Sequence, residues 1–594
     1  MSEIEFDREA VRAKYREERD RRLRPDGTKQ YLNLVGDFSR YLEDPNADEV
    51  VDRVPCTDET DVVVIGGGFA GLLAGARLRQ QGVEDIRLVE KGADVGGTWY
   101  WNRYPGAQCD VESYIYLPLL EELGYVPTEK YAHAPEILSH SRAIAEKYRL
   151  YDGALLQTEV TELRWDEATR RWLVRTDRGD ELRSRFVVWG CGALHRAKLP
   201  GLPGINDFKG HSFHSSRWDY GYTGGDNTGG LVGLQDKVVG VIGTGASGVQ
   251  IVPHVGAWAK QLYVFQRTPS AVHVRGNRAT DPNWAESLQP GWQRRRMQNF
   301  ANLMTGIPDP EDLVDDGWTA GFKEIVARAA QVGSEGLAPE VIADMMEEAD
   351  FVRMEQVRQR VGSTVVDPAT AEALKPYYAG HCKRPCFHDE YLDTFNHPNV
   401  TLVDSHGKGV QRVTERGVVV NNVEYELDCL IWATGFEIAT SVTQKAGNEV
   451  YGRGGLTLTD AWTPTPQTLH GCLSRGFPNL LFIAYAGGAF SVNFPQAIDL
   501  LATQSAWIIA NALRDGITVV EAGQQAQDEW VATCAESQQG MEPDAGCTPS
   551  YQNNEGQPHR EPQHIYGGGP QKFGEILRNW RTAGDFHGVE LTRD

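Results

Sequence analysis

Apolar runs and glycine-rich turns alternate in the same order at two places in the chain. In the first, an apolar run at 62–65 is followed by a glycine turn, a helix-forming stretch at 72–81 and a second apolar run at 86–89. In the second, apolar runs at 238–242 and 262–265 enclose another glycine turn and helical stretch. Short apolar runs bounded by turns are typical of buried strands. The pattern therefore predicts two βαβ units of the nucleotide-binding kind.

Between residues 274 and 379 the glycine-strand pattern is lost. Apolar side chains instead recur with helical spacing at Met297, Phe300, Ala301 and Met304, which predicts a helical insertion. Strand-like runs return at 400–403 and 427–432, and a later helical stretch contains Trp507.

The first 24 residues predict an amphipathic helix with a capping box from Ser2 to Glu5, followed by a polar segment to about Thr60. This extension is rich in charge and lacks the apolar core of a secretory signal, so we expect a cytoplasmic protein. The longest apolar run, 62–76, has 15 residues and several glycines, whereas a membrane span needs about 20. No transmembrane helix is predicted.

Length, charge and cysteine content narrow the class of protein. A chain of 594 residues exceeds one hydrophobic core and has room to enclose large cofactors. A net charge of −23 disfavours binding to nucleic acid or to anionic membranes and suits a small-molecule substrate. The nine cysteines form no metal-ligand pattern, so no metal site is expected, and we expect the nearest pair, Cys382 and Cys386, to be unpaired thiols.

The two glycine turns carry opposite charges at equivalent positions. The first turn runs Gly66-Gly67-Gly68-Phe69-Ala70-Gly71, and Glu90 lies 19 residues beyond it, where a carboxylate can accept hydrogen bonds from ribose hydroxyls. The second runs Gly243-Thr244-Gly245-Ala246-Ser247-Gly248, and the residue 19 positions beyond it is Arg267. A cation there suits the 2′-phosphate of NADPH, whereas the acid suits FAD. Two different dinucleotides on one chain are predicted.

A third motif resembles that of a known enzyme family. Its residues form the pattern FxGxxxHxxxWD: Phe208, Gly210, His214, Trp218 and Asp219. The pattern resembles the fingerprint of type I Baeyer-Villiger monooxygenases, which are class B flavoprotein monooxygenases, in a subgroup with an N-terminal extension. The resemblance implies a hinge role for these residues, and the Trp-Asp ending favours ketone oxidation over nitrogen or sulfur oxidation.

A second family segment runs from Gly96 to Asp110 and resembles a flavin-side loop that ends in a functional aspartate. The resemblance implies that Asp110 faces the flavin and orients Arg384, the catalytic cation. On the flavin side it adds four residues: Gly97, Thr98, Trp99 and Tyr116. On the NADPH side it adds three to Arg267: Thr268, Lys383 and Trp507.

The resemblance implies an α/β fold of the disulfide-reductase-like flavoprotein kind, with two Rossmann-like domains and a helical insertion. The expected segments are an N-terminal extension (1–54), the FAD domain (55–200 and 428–543), the NADP domain (201–273 and 380–427), the insertion (274–379) and a C-terminal tail (544–594). Substrate specificity is expected to depend on the insertion and on residues 484–490.

The implied reaction is the NADPH- and O2-dependent conversion of cyclic or bulky ketones to esters or lactones through a peroxide on flavin C4a. Arg384 would stabilise the developing negative charge. Three alternatives stay open: an amine- or sulfide-oxidising flavin monooxygenase, an NADPH oxidase or reductase, and a non-catalytic nucleotide sensor. Oligomeric state and the particular ketone are not readable from the residues.

Overall fold

The computed structural model of the chain describes residues 6–47, 49–321, 339–438, 440–483, 486–538, 546–557 and 565–593. The expected capping box from Ser2 to Glu5 lies outside them. The N-terminal helix spans Arg8–Arg22, and its cap is Asp7, whose carboxylate accepts hydrogen bonds from two main-chain N–H groups. It packs on a long helix of the insertion, where Tyr15 meets Phe351 edge-to-face at 5.8 Å.

The first βαβ unit lies in a seven-stranded sheet. The first strand of the unit, Glu59–Ile65, pairs in parallel with Ile86–Val89 on one side and Glu181–Trp189 on the other. Its apolar side chains are buried because helix Phe69–Gln80 packs against the sheet. The predicted second strand is confirmed, and the helix begins three residues before its predicted start. The other strands are Val160–Asp166, Arg171–Thr176, Glu449–Tyr451 and Leu480–Phe482.

The second βαβ unit lies in a separate sheet of five parallel strands. Their spatial order is Val400–Asp404, Gln261–Gln266, Val238–Ile242, Cys429–Trp432 and His211–His214. Helix Ala246–Trp258 follows the second glycine turn. Strand Cys429–Trp432 pairs within this sheet on both sides, so the expected boundary at 428 is wrong: the chain returns to the FAD domain only after Trp432.

Most of the described part of the insertion is helical, as the helical spacing predicts. The helices are Pro282–Ser287, Trp292–Met304, Pro339–Thr364 and Pro368–Leu374. Phe300 and Met297 of the second helix pack in a small apolar cluster with Val111, Ile115 and Trp318. The insertion is thereby attached to the chain that follows the flavin-side loop.

Residues 565–593, within the segment expected to be a tail, pack against the folded core, so the expectation of a tail is wrong for them. Helix Gly569–Ala583 buries Phe573 and Leu577 in the apolar cluster that also contains helix Phe494–Arg514. Strand Val589–Arg593 pairs antiparallel with Ile517–Ala522. These contacts bury apolar surface, which stabilises the fold, and no local sequence motif predicts them.

The remaining elements are short or peripheral. The other α-helices are Thr98–Trp101, Ser113–Tyr116, Leu120–Leu123, Ala134–Lys147, Tyr220–Thr223, Tyr391–Thr394, Val442–Ala446, Leu458–Ala461 and Gln524–Ser537. The 3-10 turns are Gly27–Gln30, Gly36–Leu42, Ser215–Arg217, Val232–Leu234, Gly380–Cys382, Arg453–Gly455 and Tyr551–Gly556. The other strands are Val272–His273, Cys386–Phe387, Arg412–Val413, Gly417–Val420 and Val423–Glu426. Among the described residues, every helix is too short or too polar to cross a membrane.

Candidate active site

The first glycine loop brings main chain into contacts that only glycine permits. Gly66 has a φ of +96°, and a Cβ at Gly71 would lie 1.8 Å from the carbonyl oxygen of Gly66. The strand that ends at Ile65 is therefore followed by a tight turn, and the helix begins at Phe69 and Ala70. An unblocked helix N-terminus of this kind fits the pyrophosphate of a dinucleotide.

Glu90 lies beside this loop at the end of the second strand, where the sequence predicts it. Its carboxylate is buried and accepts hydrogen bonds from the main-chain N–H groups of Gly67 at 2.5 Å and Gly92 at 2.7 Å. Burial raises the pKa of Glu90, and the two N–H donors oppose that shift. A fixed acceptor next to the loop fits an adenosine ribose, which stays a prediction for this residue.

The second glycine loop repeats the tight geometry. Gly243 has a φ of +112°, and a Cβ at Gly248 would lie 2.2 Å from the carbonyl oxygen of Gly243. A Cβ at Gly245, by contrast, would meet open space, as a site of ligand approach requires. The Thr244 hydroxyl donates to the carbonyl of Thr268 at 2.9 Å, which ties the loop to the strand end that carries Arg267. Ala246 and Ser247 form the first turn of the helix.

The flavin-side loop joins the two units. Gly97, with a φ of +52°, precedes the short helix Thr98–Trp101, and the Trp99 indole donates to the Tyr116 hydroxyl at 3.1 Å. Farther along, the Tyr104 hydroxyl donates to Gln250 of the second unit at 2.8 Å. The loop therefore spans from the first dinucleotide loop to the helix of the second.

Asp110 and Arg384 are 274 residues apart in sequence and form a two-point ion pair. Arg384 donates through Nε to Oδ2 at 3.1 Å and through Nη2 to Oδ1 at 2.7 Å. The side chains are 20% and 35% exposed, so the pair lies at an accessible surface and not in the sealed core. This juxtaposition is the one that the family resemblance implies.

Trp318 contacts both members of the ion pair, and the sequence analysis does not predict it as a site residue. Its indole N–H donates to the main-chain carbonyl of Asp110 at 2.6 Å, and its ring lies 5.1 Å from the guanidinium carbon of Arg384. It comes from the insertion, whereas the tryptophans that the sequence analysis names lie in the FxGxxxHxxxWD motif, in the flavin-side loop and at Trp507. No local pattern distinguishes Trp318 from a core residue.

The FxGxxxHxxxWD residues line the edge of the second sheet. A Cβ at Gly210 would lie 2.4 Å from the Phe208 ring and 2.7 Å from the Asp428 carbonyl oxygen, which explains the glycine. His214 ends the edge strand with its ring 5.5 Å from that of Phe436, and burial lowers the pKa of His214 to about 3. This neutral imidazole packs against the chain that returns to the first sheet.

The last two motif residues stabilise the turn after that strand. The Trp218 ring packs on Phe213 at 5.1 Å, and its indole donates to the Thr223 hydroxyl at 3.1 Å. Asp219 caps helix Tyr220–Thr223 and bonds His211 at 2.9 Å. The motif therefore packs a connection between the two domains, which is compatible with a hinge.

Arg267 lies at the end of its strand, as expected, with unexpected partners. Its guanidinium donates to Gln30 at 3.0 Å and to Glu555 at 3.1 Å, and the Tyr31 hydroxyl donates to the same Glu555 at 2.7 Å. Lys383 is part of the same group of charges, and burial lowers its pKa to about 8, with a smaller contribution from Arg267. The N-terminal extension, through Gln30, and the segment 546–557, through Glu555, thus contact Arg267.

Trp507 does not join them. Its ring lies 5.4 Å from Trp580 and 5.2 Å from Phe586, in the apolar cluster that also holds the first dinucleotide helix. The structure therefore brings Trp507 to the packed side of the FAD domain and not to the second glycine loop.

Cys382 is bonded to Cys547 in a disulfide, so the expectation of an unpaired thiol at Cys382 is wrong. Cys386 is a buried free thiol, as expected. The partner of Cys382 cannot be predicted from the sequence, because the two cysteines are 165 residues apart and local spacing carries no information on that contact. The disulfide fixes the segment 546–557 against the chain that carries Lys383 and Arg384.

Comparison with known proteins identifies the family of the chain. Residues 64–123 match the model of the NAD(P)-binding Rossmann-like domain. The chain is 53% identical to pentalenolactone D synthase of Streptomyces arenae, over 99% of this chain and all of the relative. It is 49% identical to a Baeyer-Villiger monooxygenase of Streptomyces coelicolor, over 96% of this chain and 95% of the relative.

Solved structures of ketone-oxidising monooxygenases also superpose on this chain. The polycyclic ketone monooxygenase of Thermothelomyces thermophila superposes with a TM-score of 0.91 at 37% identity, covering 98% of this chain and 99% of that one. OTEMO, solved as a complex with FAD and NADP, superposes with a TM-score of 0.74 at 29% identity, covering 90% and 99%. The chain belongs to the type I Baeyer-Villiger monooxygenases, FAD-dependent enzymes that use NADPH and O2 to convert ketones to esters or lactones.

Proposed function

We propose that this chain converts a bulky polycyclic ketone to the corresponding lactone, with Arg384 as the catalytic cation. The observation that carries the catalytic assignment is the two-point contact of Arg384 with Asp110, at 3.1 and 2.7 Å. The substrate class is supported by the polycyclic ketone monooxygenase, which aligns with this chain over almost its full length.

The bound cofactors supply the reducing equivalents and the activated oxygen. Arg384 then stabilises the negative charge that develops on the ketone carbonyl oxygen as the new carbon–oxygen bond forms. Asp110 orients the guanidinium through both of its oxygens, so that its charge points in one direction and needs no reorganisation during the reaction. Trp318 holds Asp110 by its main chain and covers one face of the guanidinium.

The same proposal assigns the cofactor contacts. Glu90 binds the FAD ribose, and the two glycine loops bind the two pyrophosphates. Arg267, Thr268 and Lys383 bind the 2′-phosphate of NADPH. We also propose a cytoplasmic location.

The test is product analysis by mass spectrometry after the purified flavoprotein is supplied with NADPH, 18O2 and matched ketones. The panel contains a tricyclic ketone, a steroid ketone and cyclohexanone, together with a thioether. The expected result is a lactone with one 18O from the polycyclic ketones and turnover of cyclohexanone at a much lower rate. Equal turnover of cyclohexanone would overturn the substrate class, and a sulfoxide as the main product would overturn the reaction.

A further inference from the structure

Arg267, the residue proposed to bind the 2′-phosphate, already has an anionic partner. Its Nη2 donates to Oε2 of Glu555 at 3.1 Å, and its Nη1 donates to Gln30 at 3.0 Å. Glu555 is only 3% exposed, which makes it a buried carboxylate whose charge is balanced by this contact. A phosphate that binds Arg267 must therefore displace or adjoin a carboxylate.

We propose that Glu555 is a specificity-determining residue for the nicotinamide cofactor: it competes with the 2′-phosphate for Arg267 and so reduces the preference for NADPH over NADH. The inference rests on the proposed role of Arg267. The phosphate and the carboxylate are both anions and need the same guanidinium N–H groups. The 2′-hydroxyl of NADH is neutral and can donate a hydrogen bond to a carboxylate in that position.

The main chain around Glu555 holds the carboxylate in place. Asn554 and Glu555 both have left-handed φ values, of 53° and 57°, which non-glycine residues adopt only when their surroundings impose them. Asn553 imposes the turn, because its side-chain oxygen accepts from the N–H groups of Ser550 and Gly556, at 2.9 and 3.1 Å. The Cys382–Cys547 disulfide anchors the start of this segment. The main chain therefore holds the Cα of Glu555 in place beside Arg267.

The N-terminal extension supplies the second support. The Tyr31 hydroxyl donates to Oε1 of Glu555 at 2.7 Å, and Gln30 accepts from the Arg267 guanidinium. Arg22, at the end of the first helix, also donates to the Arg267 carbonyl at 3.2 Å. The extension therefore contacts both members of the Arg267–Glu555 pair and holds them in position relative to each other.

The experiment measures binding of NADP+ and NAD+ to the oxidised holoenzyme by titration calorimetry, so the readout does not depend on turnover. Glu555→Gln keeps the size and the Tyr31 contact but removes the charge. We expect Kd for NADP+ to fall about fivefold to tenfold, with Kd for NAD+ unchanged or raised. The matched control is Glu521→Gln, which removes another buried carboxylate that pairs with an arginine, Arg453, at 2.8 Å. It should leave both affinities unchanged.

Two further variants keep the outcome decisive. If Glu555→Gln does not fold, Glu555→Asp retains the charge but withdraws it from Arg267, and NADP+ should again bind more tightly. Unchanged or weaker NADP+ binding in a folded Glu555 variant overturns the inference. Arg267→Ala tests the underlying assignment separately, since it should weaken NADP+ about tenfold or more and leave NAD+ unaffected. Loss of that effect would refute the phosphate site itself, whereas a normal Arg267 effect with a silent Glu555 variant refutes only the role of Glu555.

Discussion

Trp318 donates its indole N–H to the main-chain carbonyl of Asp110 at 2.6 Å and covers Arg384 with its ring. The three residues come from three parts of the chain. Trp318 lies in the insertion, Asp110 ends the flavin-side loop, and Arg384 lies in the segment that returns to the NADP domain. Because a buried donor that loses its acceptor costs free energy, this hydrogen bond couples the position of the insertion to the orientation of the ion pair.

Trp318→Phe tests that coupling. The variant keeps an aromatic face for Arg384 but removes the N–H, so we expect the rate of lactone formation to fall about fivefold to tenfold, the equivalent of one hydrogen bond. NADPH binding should not change. The measurement is the rate of lactone formation at saturating NADPH. Trp292→Phe, in another helix of the insertion, is the control, and equal rates of lactone formation in the two variants would remove Trp318 from the site.

Substitution of Arg384 separates its charge from its geometry. Arg384→Ala should lower oxygenated product about a hundredfold to a thousandfold while anaerobic flavin reduction by NADPH proceeds at a normal rate. Arg384→Lys restores the charge but not the two-point contact with Asp110 and should recover only part of the activity. Arg453→Ala is the matched control, because the Arg453 side chain is 36% exposed and also forms ion pairs. Normal lactone formation by Arg384→Ala would refute the assignment.

The features that the sequence predicts well are those whose cause is local. Strands Ile86–Val89 and Val238–Ile242 lie where the apolar runs place them, because a strand covered on both faces must be apolar throughout. The glycine loops were identified because a tight turn on a strand end excludes a side chain, as the short Cβ distances at Gly71 and Gly248 show. The Asp110–Arg384 pair came from family motifs and not from spacing.

The features that were missed depend on contacts between distant parts of the chain. Glu555 is 288 residues from Arg267, and Cys547 is 165 residues from Cys382. Neither residue lies in a recurring pattern, and hydrophobic periodicity describes only which face of an element is buried. The C-terminal helix Gly569–Ala583 shows the same limit: its amphipathic face requires a partner, but the sequence does not say which one.

Gly71→Ala should abolish FAD binding. The added Cβ would lie 1.8 Å from the carbonyl oxygen of Gly66, a main-chain atom that cannot move without disrupting the first strand–turn–helix unit. Flavin absorbance per protein is the readout. Gly362→Ala is the control. Its Cβ would lie 3.9 Å from Cε of Lys375, an ordinary contact with a flexible side chain, and would clash with nothing. Full flavin content in Gly71→Ala would contradict the structure of the loop.

Lys383 gives the cofactor affinity a dependence on pH. Burial lowers the pKa of Lys383 to about 8, so the ammonium is charged below that pH and neutral above it. A charged ammonium attracts the 2′-phosphate, so Kd for NADP+ should be lowest below pH 8 and should rise as the pH passes through 8. Binding of NAD+, which lacks the phosphate, should vary much less. Lys383→Met should bind NADP+ more weakly at pH 7 and lose most of the rise in Kd. Lys375→Met, at a lysine of the insertion whose side chain is 26% exposed, should keep it. The same rise in Lys383→Met would assign the titration to another group.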